Sequence, residues 1–262
     1  MKQIKNKPLF FQNSIPTVSY ADGSKVEHQP LAEQSQLTNE LFVIAQLNDG
    51  KKIIFNSRTI SYKNEVFIAP LPNPVHLLIN VGIENYNNSV ITLGLFKNDC
   101  QLKENNKGVH LLNLGNDNTN QNFNNLIKFK ITAVVSLITA LEAFLNQVIP
   151  NDFIYKGFKK DKPYNFNKKQ IESSSITFKV KLTDVMSQLI KKPHFSKQHS
   201  KIIAIIIQLY EIRRELIHMK TSSEDWLGLY FKITGGVIDI DLEKTIIALK
   251  KYMNLVQPNS LK

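Results

Sequence analysis

Apolar and polar positions change their period near residue 115. Before that point the chain consists of short apolar runs separated by turn residues. In "FVIAQLNDGKKIIFN" (42–56) two apolar runs flank Asp49-Gly50, a dipeptide suited to a type I′ hairpin turn. "TISYKNEVFIAPLP" and "SVITLGLFKNDCQL" continue in the same manner, with Val, Ile, Phe and Thr in the runs and Gly, Pro, Asn and Asp between them. No 3.6-residue period emerges. The pattern predicts a mostly antiparallel β domain, a small sandwich or curled sheet, over residues 1–118.

"LGNDNTNQNFNN" (114–125) is polar and rich in capping residues, as expected of a linker that runs into a helix. Beyond it the period becomes helical. "FNNLIKFKITAVVSLITALEAFLNQVIP" (123–150) repeats apolar residues at i, i+3, i+4 and i+7, and Pro150 ends it. A lysine- and aromatic-bearing loop is expected over 151–170. Further helices are predicted at about 178–191, 197–220 and 242–256, with "ITGGVIDID" as a turn before the last. Four helices joined in this way make a bundle. The predicted fold class is α+β, an N-terminal β domain followed by a helical domain over 119–262.

Composition adds a contrast between these halves. The net charge is +11, yet residues 1–120 carry 11 Lys/Arg against 10 Asp/Glu, whereas residues 121–262 carry 22 against 12. A basic surface confined to the helical half attracts polyanions, nucleic acid first among them; the alternative is that lysine-rich loops only keep the protein soluble, and charge alone does not choose between the two. The 42% hydrophobic content is that of a globular protein. The single Cys100 cannot form an internal disulfide. "MKQIKNKPLFFQNSIP" has a basic start but no sustained apolar stretch, so no signal peptide is expected. The run 131–149 approaches membrane-spanning length, but Glu142, Asn146 and Gln147 interrupt it. The expectation is a cytoplasmic protein without a membrane partner.

The chemistry concentrates in "QLYEIRRELIHMK" (208–220), which holds two of the three arginines of the chain and His218. Arg214 and His218 are four residues apart and share a helical face; Arg213 and His218 are five apart, about 140° around the helix. These groups follow "IIAIIIQLY", which is apolar enough to be buried on most sides. The arginines must therefore reach a carboxylate, a dimer partner or an anionic ligand. Glu142, Glu211 and Glu215 are the candidate carboxylates.

The segment R-R-E-L-I-H, an Arg-polar-x-x-x-His arrangement late in a long helix, resembles the signature of the HEPN superfamily (higher eukaryotes and prokaryotes nucleotide-binding domain). "SLITALEAFLNQVI", with Glu142 and Asn146, is similar to the first long helix of bacterial members. "FKVKLTDVMSQLI" fits the family's order of elements. The resemblance covers about residues 123–256 and implies a HEPN-like four-helix bundle that dimerises through the helical domain. It also implies metal-independent endoribonuclease activity leaving 2′,3′-cyclic phosphate and 5′-hydroxyl ends, in a host-defence or toxin setting with a neutralising partner protein, and no cofactor. His218 would act as general acid/base. Arg213 would hold the scissile phosphate. The residue after the motif arginine departs from the family's usual Asn, Asp or His, because it is Arg214; either arginine, or both, could contact phosphate. Glu142 would orient an arginine across the bundle, with Asn146 in support.

"YKGFKKDKPYNFNKK" (155–169) interleaves Lys with Tyr and Phe, a combination able to follow a phosphate backbone and stack on unpaired bases. Lys156, Lys159 and Lys160 there, with Lys220 after the motif, are the candidate RNA contacts. Plainer roles stand beside these: a lysine-rich chain makes such a long loop by default. His218 can be a helix C-terminal histidine held by the dipole, and the arginines can pair with Glu211 and Glu215. A second function class is a HEPN-like bundle that binds RNA or nucleotide, or dimerises, without catalysis. His194 and His199 in "KKPHFSKQHS" are expected to be solvated loop residues, since no ligand set surrounds them.

Overall fold

The computed structural model describes residues 17–20, 41–46, 52–63, 65–70, 72–99, 101–102, 110–111, 117–159, 162–173, 176–218 and 225–261. In the strands that precede residue 72, the backbone alone is described. Two compact units divide between Asn73 and Pro74. In the first, β1 (Thr17–Tyr20), β2 (Leu41–Gln46), β3 (Lys52–Tyr62) and β4 (Glu65–Pro70) pair antiparallel in sequence order. The register sets Val43 opposite Phe55 and Ile60 opposite Phe67. The turn at Asp49-Gly50 lies outside the described residues.

A long helix after β4 corrects the expected β domain over 1–118. Residues 74–99, expected to be extended, form α1 (Pro74–Asp99), a helix of 26 residues. Val75, Ile79, Gly82, Ile83, Tyr86, Ser89 and Thr92 are its buried positions, a stripe of period near 3.6. The stripe escapes a sequence reading because two of its members are hydroxyl residues, and β-branched residues and asparagines fill the rest of the segment. Pro74 stands at the first helical position, where its fixed φ suits a helix start. Only the two-residue strands β5 (Gln101–Leu102) and β6 (His110–Leu111) are described between α1 and the next helix. Helix dominates the described residues and the antiparallel strands of the first unit end at Pro70, so the expected α+β class with a β domain over 1–118 does not hold. The described residues between 74 and 118 belong with the helices, not with the preceding strands.

α2 (Asp117–Gln147) begins six residues before the predicted start and packs along α1. Val134, Leu137, Ile138, Leu141 and Leu145 on α2 are fully buried at the centre of the core. At Gly82 the helices approach so closely that an added Cβ would stand 2.7 Å from the Leu137 side chain. β7 (Ile154–Lys159) and β8 (Lys162–Asn167) form an antiparallel hairpin where a loop was expected. Tyr155 buries its ring and packs edge-on against Tyr164, which anchors the hairpin to the core.

α3 (Lys168–Glu172) comes next, with an Asn167/Gln170 capping box. α4 (Phe178–Val180) and α5 (Met186–Leu189) are joined by a π-helical turn, Lys181–Val185. The short α6 (Phe195–Gln198) leads into α7 (Ser200–Ile217). His199 is half-buried between them with its ring edge on Phe195, while His194 is exposed. The predicted turn "ITGGVIDID" is corrected as well: Thr234, Gly235 and Gly236 lie inside α8 (Trp226–Asp239), capped by Asp225. α9 (Leu242–Val256) is capped by Asp241 and buries Leu249, Tyr252 and Met253. Five helices of 14 residues or more, α1, α2, α7, α8 and α9, are thus present among the described residues, where four were expected in all. No helix among the described residues is long and apolar enough to cross a membrane.

One buried cation ties α2 to α8. Lys130 is 7% exposed and donates from Nζ to the carbonyl of Ile238 at the C-terminal end of α8. Burial lowers its pKa, and the nearby Asp239 and Asp241 act the other way.

Candidate functional site

α2 and α7 carry the residues singled out from the sequence, and the fold brings part of that set together. Leu137, Leu141 and Leu145 turn one face of α2 into the core, which leaves Glu142 and Asn146, one turn apart, on a flank. α7 buries Ile203, Ile206 and Leu209, leaving Arg213, one turn beyond Leu209, at the core's edge. There the Arg213 guanidinium stands 3.8 Å from the Glu142 carboxylate. Its Nη2 makes this contact, while its buried Nε has no hydrogen-bond acceptor.

Asn146 meets a residue that the sequence reading did not single out. Lys181, in the π-helical turn, donates from Nζ to Asn146 Oδ1 at 3.4 Å and to the Glu172 carbonyl at 3.5 Å. Burial lowers the pKa of this ammonium, and the carboxylates of Glu142 and then Glu172 oppose that shift. Short π-helical turns recur at functional sites. The hydroxyl of Tyr252, buried on α9, donates at 2.6 Å to the carbonyl of Leu182, the residue after Lys181, and so ties the turn to the core.

Glu142, Asn146, Glu172, Lys181 and Tyr210 line a cavity of about 400 Å³. Tyr210 also stacks on Phe178 with ring centroids 4.2 Å apart and planes 8° from parallel. The sequence signal for Lys181 was its segment "FKVKLTDVMSQLI", used only for its place in the order of elements. Glu172 and Tyr210 had no signal, because their site exists only where α2, α3, the π-helical turn and α7 meet.

The remaining candidates are placed differently. Arg214 is exposed and pairs with Glu211 on its own helix. His218 is the exposed C-cap of α7, its backbone N–H donating to the Arg214 carbonyl at 3.0 Å. It lies outside the lining of the cavity. Lys156 is exposed on the hairpin, and its backbone exchanges two hydrogen bonds with the Gln188 amide, N–H to Oε1 at 3.1 Å and Nε2 to the carbonyl at 2.6 Å. That bidentate clamp fixes one hairpin edge against α5. Lys159 lies at the end of β7, described by its backbone alone; Lys160 and Lys220 lie outside the described residues.

Comparison with known proteins adds nothing to this geometry: no protein-family model, no curated protein and no solved structure matches the chain.

Proposed function

We propose that the helical unit is a metal-independent endoribonuclease of HEPN type. The observation that carries this reading is the meeting of motif residues from two helices, Arg213 on α7 with Glu142 on α2 at 3.8 Å, while His218 stays exposed just past the end of α7. A carboxylate behind a guanidinium orients it, and a planar, permanently charged group suits a phosphodiester. His218 takes the proton from the ribose 2′-hydroxyl or returns one to the leaving 5′-oxygen. Attack of the 2′-oxygen on phosphorus forms the cyclic phosphate as the bond to the 5′-oxygen breaks. Arg213, with Arg214 beside it, offsets the charge that builds on the phosphoryl oxygens. Lys156, exposed on the anchored hairpin, serves the flanking backbone.

The same proposal includes a homodimer formed through the helical unit, a cytoplasmic setting, and a defence or toxin role with a neutralising partner. A second reading, a bundle that binds RNA or nucleotide without cutting it, has one observation in its favour. Both motif arginines already have glutamate partners, Arg213 with Glu142 and Arg214 with Glu211.

The test is cleavage of several RNAs in the presence of EDTA by the wild-type chain, His218→Ala, Arg213→Ala and Arg214→Ala. Cleavage with cyclic-phosphate ends, slowed about 10²–10⁴-fold in His218→Ala, supports the nuclease. Intact RNA with wild type, accompanied by saturable RNA binding, supports the binding module instead.

A further inference from the structure

The cavity beside Glu142 has a chemical character that phosphate recognition does not account for. It holds Lys181, but it also holds the carboxylates of Glu142 and Glu172 and the amide of Asn146. The two carboxylates outnumber the ammonium in this lining, which disfavours a bare oxyanion here. Such a mixture of donors and acceptors suits a neutral heterocycle that presents both.

Each group is only partly committed. The two bonds of Lys181 are long, 3.4 and 3.5 Å, and an ammonium has three donors. Glu142 and Glu172 contact Arg213 and Lys168 at 3.8 Å each, which leaves acceptor capacity on both carboxylates. The stacked rings of Tyr210 and Phe178 add a flat, rigid wall. RNA bases are read by such groups when they are unstacked and presented edge-on.

Among the four bases, guanine offers a carboxylate two parallel donors, the ring N1–H and the exocyclic N2–H₂. Its O6, next along the same edge, accepts from an ammonium. Adenine and cytosine would each turn a ring-nitrogen acceptor toward the carboxylate, and uracil has no exocyclic amine. We propose that this cavity is a base-specificity pocket that takes guanine, with the Glu172 carboxylate accepting from N1–H and N2–H₂ and Lys181 donating to O6. Arg213, bound to Glu142 on the rim, would then hold a phosphate of the same RNA segment. That last step rests on the proposed RNA substrate; the preference for guanine does not need cleavage.

The experiment is isothermal titration calorimetry of the full chain with GMP, AMP, CMP and UMP. GMP is expected to bind at least about tenfold more tightly than the others, as one bidentate base contact provides. Lys181→Met and Glu172→Gln should each remove most of that preference while leaving the circular dichroism spectrum and Tm near wild type. Should Lys181→Met fail to fold, Glu172→Gln at the solvent-facing rim decides. Equal binding of all four nucleotides, no binding of GMP, or a preference that survives Glu172→Gln overturns the pocket. RNA cleavage distinguishes the two claims. A chain that selects GMP but leaves RNA intact overturns only the nuclease. A chain that cuts RNA without selecting GMP overturns only the pocket.

Discussion

Arg213 on α7 and Glu142 on α2 form an ion pair across two helices, 3.8 Å apart, at the edge of the core. Both side chains keep some exposure, so the net stabilisation is modest, about 1 kcal/mol or less. Removing one partner costs more than the pair contributes, because the other partly buried charge is left unpaired. Glu142→Ala and Arg213→Ala should each destabilise the chain by about 1–2 kcal/mol, and the double variant by less than their sum. Urea unfolding of the four proteins measures the coupling. Additive losses would mean that the two side chains do not interact in solution.

Tyr252 holds the π-helical turn through one hydrogen bond to the Leu182 carbonyl, and that bond is buried. Tyr252→Phe keeps the ring contact with Phe195 but leaves the carbonyl without this donor. The expected loss is about 1–3 kcal/mol. Because Lys181 is the neighbour of Leu182, the variant should also raise the pKa of the Lys181 ammonium toward that of free lysine as the turn loosens. Carbon-13 NMR of labelled lysine side chains tracks that titration. An unchanged Lys181 signal would show that the turn keeps its shape without Tyr252.

How far the sequence foretold this arrangement differs by element. The long apolar stretch 131–149 gave away α2 because its stripe is built from Leu, Ile, Val and Ala over many turns. α1 stayed hidden because Ser89 and Thr92 complete its buried face, so hydrophobicity alone shows no period. α8 was concealed by Gly235 and Gly236, whose poor helix propensity is overridden by the cap at Asp225 and by burial of Ile233 and Val237. At the site, Glu142 and Arg213 were legible as charges that an apolar helix must dispose of. Lys181 and Tyr210 were not, since nothing local marks the side chains that they meet more than 30 positions away, Asn146 for Lys181 and Phe178 for Tyr210.

Gly82 sets how closely α1 can lie against α2. A methyl group there would meet Leu137 at 2.7 Å, inside van der Waals contact, and Leu137 is fully buried with little room to move. Helix propensity favours alanine over glycine by about 1 kcal/mol, so an open site would gain from the change. Here overpacking should win, and Gly82→Ala is expected to destabilise by about 1–3 kcal/mol. Gly94, where an added Cβ meets nothing within 4 Å, is the control: Gly94→Ala should be neutral or stabilising. Thermal unfolding of both variants decides, and a stabilised Gly82→Ala would show that the helices part easily.

Tyr86 on α1 donates from its hydroxyl to Glu243 on α9 at 3.2 Å. Burial, and then the negative charge of Glu243, push its pKa up to about 12 from the ordinary 10.0. The folded state thus favours the protonated phenol. Its contribution is fully present below pH 10 and is lost as pH rises from about 10 toward 12, because the unfolded chain releases that proton first. Tyr155 and Tyr252 are raised for the same leading reason, burial, and add to the slope. Tyr86→Phe removes one of these three groups, so its stability should fall less steeply than wild type between pH 10 and 12. Urea unfolding across that range measures the difference. Parallel curves would mean that Tyr86 titrates alike in the folded and unfolded chains.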